Sequence, residues 1–180
     1  MRSTLRAVLA AVFAVFVASS TSQAQRPIEL GMDATFTYFD TDPSVTAISI
    51  PAGQLRVGFF FSDALSFEPS FGLERIASDD ASLTAWSAEA GLLWHFNPAS
   101  AGTVVYARPF VGITGISADA DGEGEDETDP TAGIGIGLKT PLMLGNRFRW
   151  RFEVGYARQF SNPDDVNAYG AAIGLSFFTR

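Results

Sequence analysis

The chain has 180 residues, carries 20 Asp and Glu against 12 Lys and Arg, and contains no cysteine. Its formal charge of −8 argues against a nucleic-acid-binding surface, and the missing cysteines exclude both a lipoprotein and a disulfide-stapled secreted module. Hydrophobic residues make up 47% of the chain, yet no apolar run reaches the ~20 residues of a membrane helix, so they must be deployed in another way.

The N-terminus reads MRSTLRAVLAAVFAVFVASSTSQAQ. Two arginines, an apolar run from Ala7 to Val17 and the small-x-small triplet Ser22-Gln23-Ala24 have the layout of a secretory signal peptide. Residues 1–24 are therefore expected to be a signal peptide, and residues 25–180 a single domain.

Beyond it the oily residues alternate with polar or small ones. The first run sets Leu30, Met32, Ala34, Phe36 and Tyr38 against Glu29, Gly31, Asp33, Thr35 and Thr37. The second, beginning at Leu55, sets Leu55, Val57 and Phe59 against Arg56, Gly58 and Phe60. In the third, Leu65, Phe67, Pro69, Phe71 and Leu73 oppose Ser66, Glu68, Ser70, Gly72 and Glu74. The fourth opposes Thr84, Trp86, Ala88, Ala90, Leu92 and Trp94 to Ala85, Ser87, Glu89, Gly91 and Leu93. The fifth has Ala107, Pro109, Val111 and Ile113 against Arg108, Phe110, Gly112 and Thr114. In the sixth, Ala132, Ile134, Ile136 and Leu138 face away from Gly133, Gly135, Gly137 and Lys139. The seventh, RFRWRFEVGYARQF, puts Phe148, Trp150, Phe152, Val154 and Tyr156 on one face and Arg149, Arg151 and Glu153 on the other. The eighth sets Tyr169, Ala171, Ile173, Leu175 and Phe177 against Gly170, Ala172, Gly174 and Ser176. Period-two segments of about ten residues, separated by turn residues, predict an all-β fold: an eight-stranded antiparallel up-and-down transmembrane β-barrel.

The connections alternate as well. Those after the second, fourth and sixth runs are short: Phe61 to Ala64, Asn97 to Gly102, Thr140 to Asn146. The others carry Asp40, Asp42, Asp79, Asp80, the acids between Asp119 and Asp129, Asp164 and Asp165. Short periplasmic turns and longer outer loops would place this acidity outside the cell.

In such a barrel the oily face meets lipid and the charges point inward. The interior of eight strands is just wide enough for side chains to fill, which predicts a filled polar interior. Gly133, Gly135, Gly137, Gly170, Ala172 and Gly174 leave bare walls beside Arg149, Arg151 and Glu153. Arg56, Glu68, Glu89 and Arg108 fall on four consecutive strands, with the acids between the arginines, and buried charges need such pairing. Two aromatic girdles are expected. Tyr38, Trp86, Tyr156 and Tyr169 form the outer one, and Phe59, Phe67, Trp94, Trp150 and Phe177 the periplasmic one.

With this arrangement the chain resembles the small OmpA/OmpX-like outer-membrane β-barrel proteins over the whole length after residue 24. The residues carrying the likeness are the leader, the eight alternating runs, inward charges such as Arg56, Glu68, Arg108 and Arg151, and the aromatic-rich AYGAAIGLSFFTR. Thr179 and Arg180 follow Phe178, where family members commonly end on an aromatic residue, and the likeness is to the barrel domain alone, so the anchoring role of a peptidoglycan-binding domain is not expected. The likeness implies an integral protein of the bacterial outer membrane.

Sharper motifs are outweighed. Gly133 to Thr140 matches neither dinucleotide nor phosphate-loop spacing, and glycines spaced by two are a strand property. His95, the one histidine, invites comparison with lipid A-modifying barrel enzymes. No serine is offered at its height and face for a Ser-His-acid site, so an interfacial histidine beside the aromatic belt is expected. Asp119, Asp121 and Glu123 followed by Gly124 match the start of a calcium loop, but its twelfth position is Pro130. A mobile solvated loop is favoured there, with weak divalent bridging to lipopolysaccharide as the alternative.

The expected role is structural or surface-displaying, without an open pore, catalytic residues, metal or cofactor. A narrow channel, a lipid-modifying enzyme and a soluble lipocalin-like barrel are the alternatives. Expected partners are outer-membrane lipid and lipopolysaccharide, with periplasmic chaperones and the barrel-assembly machinery during biogenesis. No nucleic acid is expected, and the protein should be a monomer.

Overall fold

A strand with one oily and one polar face must bury each against a different medium, and every unpaired edge must find a partner. The computed structural model meets both demands by closure. It describes residues 26–41, 44–77, 81–97, 102–120, 123–142, 147–161 and 164–179. The leader expectation for residues 1–24 lies outside them. Eight strands follow in order: β1 (Ile28–Asp40), β2 (Val45–Phe60), β3 (Leu65–Ala77), β4 (Ala81–His95), β5 (Val104–Ala120), β6 (Glu123–Pro141), β7 (Phe148–Gln159) and β8 (Val166–Phe178). Each pairs antiparallel with its chain neighbour, and β1 pairs with β8 to close the barrel. That last seam runs without a register break from Glu29 opposite Phe178 to Asp40 opposite Asn167.

The inner and outer faces are those the alternation predicts. Glu29, Asp33, Arg56, Glu68, Arg151 and Glu153 are buried, while Leu30, Met32, Trp150, Phe152, Val154 and Tyr156 are exposed. No helix among the described residues is long and apolar enough to cross a membrane; the crossing elements are strands.

The aromatics sort into two belts. Tyr38 stands opposite Tyr169, and Tyr169 opposite Tyr156, with the last two rings 5.5 Å apart. Trp86 lies on the outer face over Gly115, its partner across the β4–β5 ladder. At the other end Ile28, Phe59 and Phe67 line up across β1 to β3, and Phe148 packs on Phe177 at 5.1 Å. Tyr156 and Phe148 are eight residues apart on β7. At ~3.3 Å per residue and ~40° tilt they are separated by roughly 20 Å in height, close to the ~25 Å apolar band of outer-membrane barrels.

Three sequence expectations change. Strands run from 12 to 19 residues rather than about ten, because the ladders continue beyond the outer belt. β2 starts at Val45, not Leu55. Asp33 faces Gln54 and Thr35 faces Ser49, so residues 50–53 stand against Ala34 alone. A bulge containing Pro51, which has no N–H for the ladder, breaks the alternation there and conceals the strand. The acidic stretch, finally, is largely not a loop. Ser117 pairs with Asp126, Ala118 with Glu125 and Ala120 with Glu123, so it forms the upper rungs of the β5–β6 hairpin.

Closure predicts a cooperative, denaturant-resistant unit. The protein is expected to migrate at different apparent masses before and after boiling in detergent, and identical migration would contradict a closed membrane barrel. Removing residues 118–127 would leave Gly115 and Thr128, already partners, flanking Ile116-Ser117 as a two-residue hairpin connection. The β4 end at residues 81–83 loses its rungs to 118–120, but these lie above the Trp86 belt. Thermal unfolding in bilayers is expected to shift by only a few degrees, on the order of 1 kcal/mol; loss of folding would make the hairpin tip a structural element.

Candidate functional site

The candidate site is the lumen, which falls into three levels. At the periplasmic end it is closed by apolar and aromatic groups. Leu93, Val104 and Phe178 are buried, and the His95 ring stacks on Phe60 at 5.5 Å and meets Tyr106 edge-on at 6.2 Å. His95 is therefore not the interfacial residue expected from the sequence. It shares the inward parity of Gly91 and Leu93 and is 5% exposed. Its Nδ1 has no hydrogen-bond partner. Arg149 also belongs to this level, donating to the Gly102 carbonyl at 3.1 Å with its guanidinium over the Phe178 ring.

Above the plug lies a layer of ion pairs that forms one chain of alternating sign. Lys139 meets Glu29 at 2.6 Å, and Glu29 meets Arg56 at 2.7 Å. Arg56 holds Asp33 through two hydrogen bonds, of 2.8 and 3.1 Å, and reaches Glu68 at 3.5 Å. Glu68 accepts from Arg151 at 2.7 Å through both carboxylate oxygens. Arg151 also pairs with Glu153, which takes Arg108 at 2.9 Å; Arg108 ends on Glu89 at 3.1 Å. Ser176 on β8 bonds both Arg56 and Glu29, so every strand contributes. The Glu68–Arg151 link joins β3 to β7, opposite walls of an eight-strand ring, and crosses the lumen at its full width.

The local reason these groups fit is the glycines. A Cβ at Gly31 would strike the Arg56 guanidinium, at Gly135 the Glu153 carboxylate, at Gly137 the Tyr106 hydroxyl and at Gly174 the Asp33 carboxylate. The bare walls expected beside β7 are there, though Arg151 uses its room to reach the far side. The pairings Arg56–Glu68 and Arg108–Glu89 both form as foreseen, yet Arg56 is held more closely by Glu29 and Asp33. Those two acids and Lys139 were legible as inward-facing by parity. Their partners were not.

Outward of the ion-pair layer the side chains become small, with Thr35, Thr37, Ser87, Gly170 and Ala172 on the walls, and leave a cavity of about 800 Å³. Its floor is Arg108, Glu89, Arg151 and Glu153. The Gly133 to Thr140 segment is a strand of the wall, with Lys139 turned onto Glu29. Among the described residues no group of three or more acids or histidines is placed to hold a metal ion.

A closed barrel with an oily outer band, two aromatic belts and an ionic interior is an integral outer-membrane barrel. The chain belongs to the outer membrane protein beta-barrel domain family, whose model matches residues 7–177. The fold is similar to that of Neisserial surface protein A, at 14% identity and a TM-score of 0.67, over 83% of this chain and 96% of that one. It is also similar to Ail, the attachment invasion locus protein of Yersinia pestis, at 17% identity and a TM-score of 0.56, over 86% and 99%. No curated protein matches by sequence. Family and fold place the protein in the bacterial outer membrane.

Proposed function

We propose that the protein is a structural, surface-displaying barrel whose lumen does not conduct and which catalyses no reaction. The observation that carries this reading is the Glu68–Arg151 bridge across the lumen, backed on the periplasmic side by the Phe60, His95 and Phe178 plug. Opening a passage would need several desolvated ion pairs to separate together, each break costing several kcal/mol (~3–5). Display is supported by the β5–β6 hairpin, which lifts Glu123, Glu125 and Asp126 beyond the outer belt. The absence of catalysis is supported by the packing of the histidine ring between the Phe60 and Tyr106 rings.

Planar-bilayer recording on purified protein tests the closed lumen: no unitary conductance is expected, and stable single-channel steps would replace this reading with a narrow channel. Lipid A mass profiles unchanged by deletion of the gene are the matching expectation for catalysis. The same reading takes outer-membrane lipid and lipopolysaccharide as the partners of the aromatic belts. It takes periplasmic chaperones and the barrel-assembly machinery as transient partners, and a monomer as the working state.

A further inference from the structure

The outer cavity, at about 800 Å³, lies within the ~300–1,000 Å³ of small-molecule sites. The ladders set its polar groups in descending rungs. Glu74 stands opposite Ala85, and Ile116 links Ala85 to Glu127 at the rim. One inward rung lower, Thr114 links Ser87 to Asp129; on the next, Gly112 links Glu89 to Thr131. Acids thus descend one wall towards a floor where Arg108 is already engaged by Glu89 and Glu153.

Asp129 is the informative member. It is 8% exposed, lines the cavity, and accepts hydrogen bonds from Gln159 at 2.8 Å and Ser161 at 2.6 Å. No Lys or Arg among the described residues forms an ion pair with it. Every other buried acid of the lumen has a cationic partner, as burial of a carboxylate demands. Directly opposite, the Thr114 hydroxyl is buried with no hydrogen-bond partner. A buried carboxylate lacking its cation therefore lines this cavity.

We propose that this vestibule binds a small organic polyamine cation entering from outside the cell. The acids are spread along the wall rather than gathered, and among the described residues no three or more acids or histidines come together as a metal site would need. That spacing suits ammonium groups separated by methylenes, with one ammonium at Asp129, another towards Glu89, and the hydrocarbon along Ala172 and Gly170. The proposal needs only the outward opening and is independent of surface display.

The test is calorimetric titration of spermidine into protein purified from outer membranes in zwitterionic micelles, at about 150 mM salt to suppress loose surface association. Saturable binding is expected, weakened about tenfold or more by Asp129→Asn and abolished by Gly170→Phe. An added side chain at Gly170 meets only the Phe36 carbonyl at 3.5 Å and Thr37 Oγ1 at 4.0 Å, so the ring has room to enter the cavity. Heat-dependent migration certifies folding of each variant, and Ala172→Phe, one inward rung along β8, replaces Gly170→Phe if that protein does not fold. Absence of saturable binding would overturn the proposal, and so would unchanged affinity in the cavity-filling variant, which would place the cation on the outer hairpins. Displacement by magnesium at equal charge would likewise reduce the effect to counter-ion attraction.

Discussion

Phe152→Arg is expected to cut the yield of barrel folded into bilayers severely, because it puts a full charge where the apolar band is deepest. Phe152 lies on the exposed face of β7, four residues from Phe148 in the periplasmic belt and four from Tyr156 in the outer one. Arginine on the lipid face costs ~2–4 kcal/mol at the midplane and about 0–1 near an interface. Trp150→Arg, one outward-facing rung nearer Phe148, is expected to cost less. Equilibrium unfolding from vesicles in urea, with the heat-dependent gel shift as the folded signal, measures both. Equal stability of the parent and Phe152→Arg would mean that this face of β7 does not meet lipid.

Arg56→Met is expected to be as damaging from the other side of the sheet. The guanidinium satisfies Asp33, Glu29 and Glu68 and bonds Ser176. Methionine preserves much of the packing volume but leaves Asp33 without its ion-pair partner and Glu29 with Lys139 alone. Removing one member of a buried pair costs ~3–5 kcal/mol, whereas replacing both with apolar groups is often neutral. Asp33→Leu added to Arg56→Met should therefore recover part of the loss, and the double-mutant cycle gives the coupling. Additive losses would mean that the two side chains do not share an interaction in the folded barrel. Arg151→Ala is expected to act in the same direction, since both Glu68 and Glu153 lose a partner.

Legibility followed the range of the physics. The period-two alternation of β7 is a property of one strand, and it assigned Arg151 and Phe152 to opposite media without any knowledge of neighbours. The turn Phe61 to Ala64 was equally local. Where local rules were interrupted, reading stopped early. The Pro51 bulge hid the first ten residues of β2, and acidic composition made the β5–β6 rungs look like a loop. The parity His95 shares with Leu93 turns its ring inward onto Phe60, away from the interface beside the aromatic belt.

By itself, then, the sequence determined the class of protein. Strands oily on one face and ionic on the other can satisfy every backbone group in lipid only by closing on themselves, and eight of them leave an interior that charges must fill. The tertiary structure decided which charges meet. Glu68 and Arg151 are 83 positions apart and on opposite walls, and their contact depends on the stagger and tilt of the closed barrel, which no single strand encodes. The same closure left Asp129 beside an open cavity with no cation, because the small residues of β1 and β8 that face it fill less space than the arginines one level below.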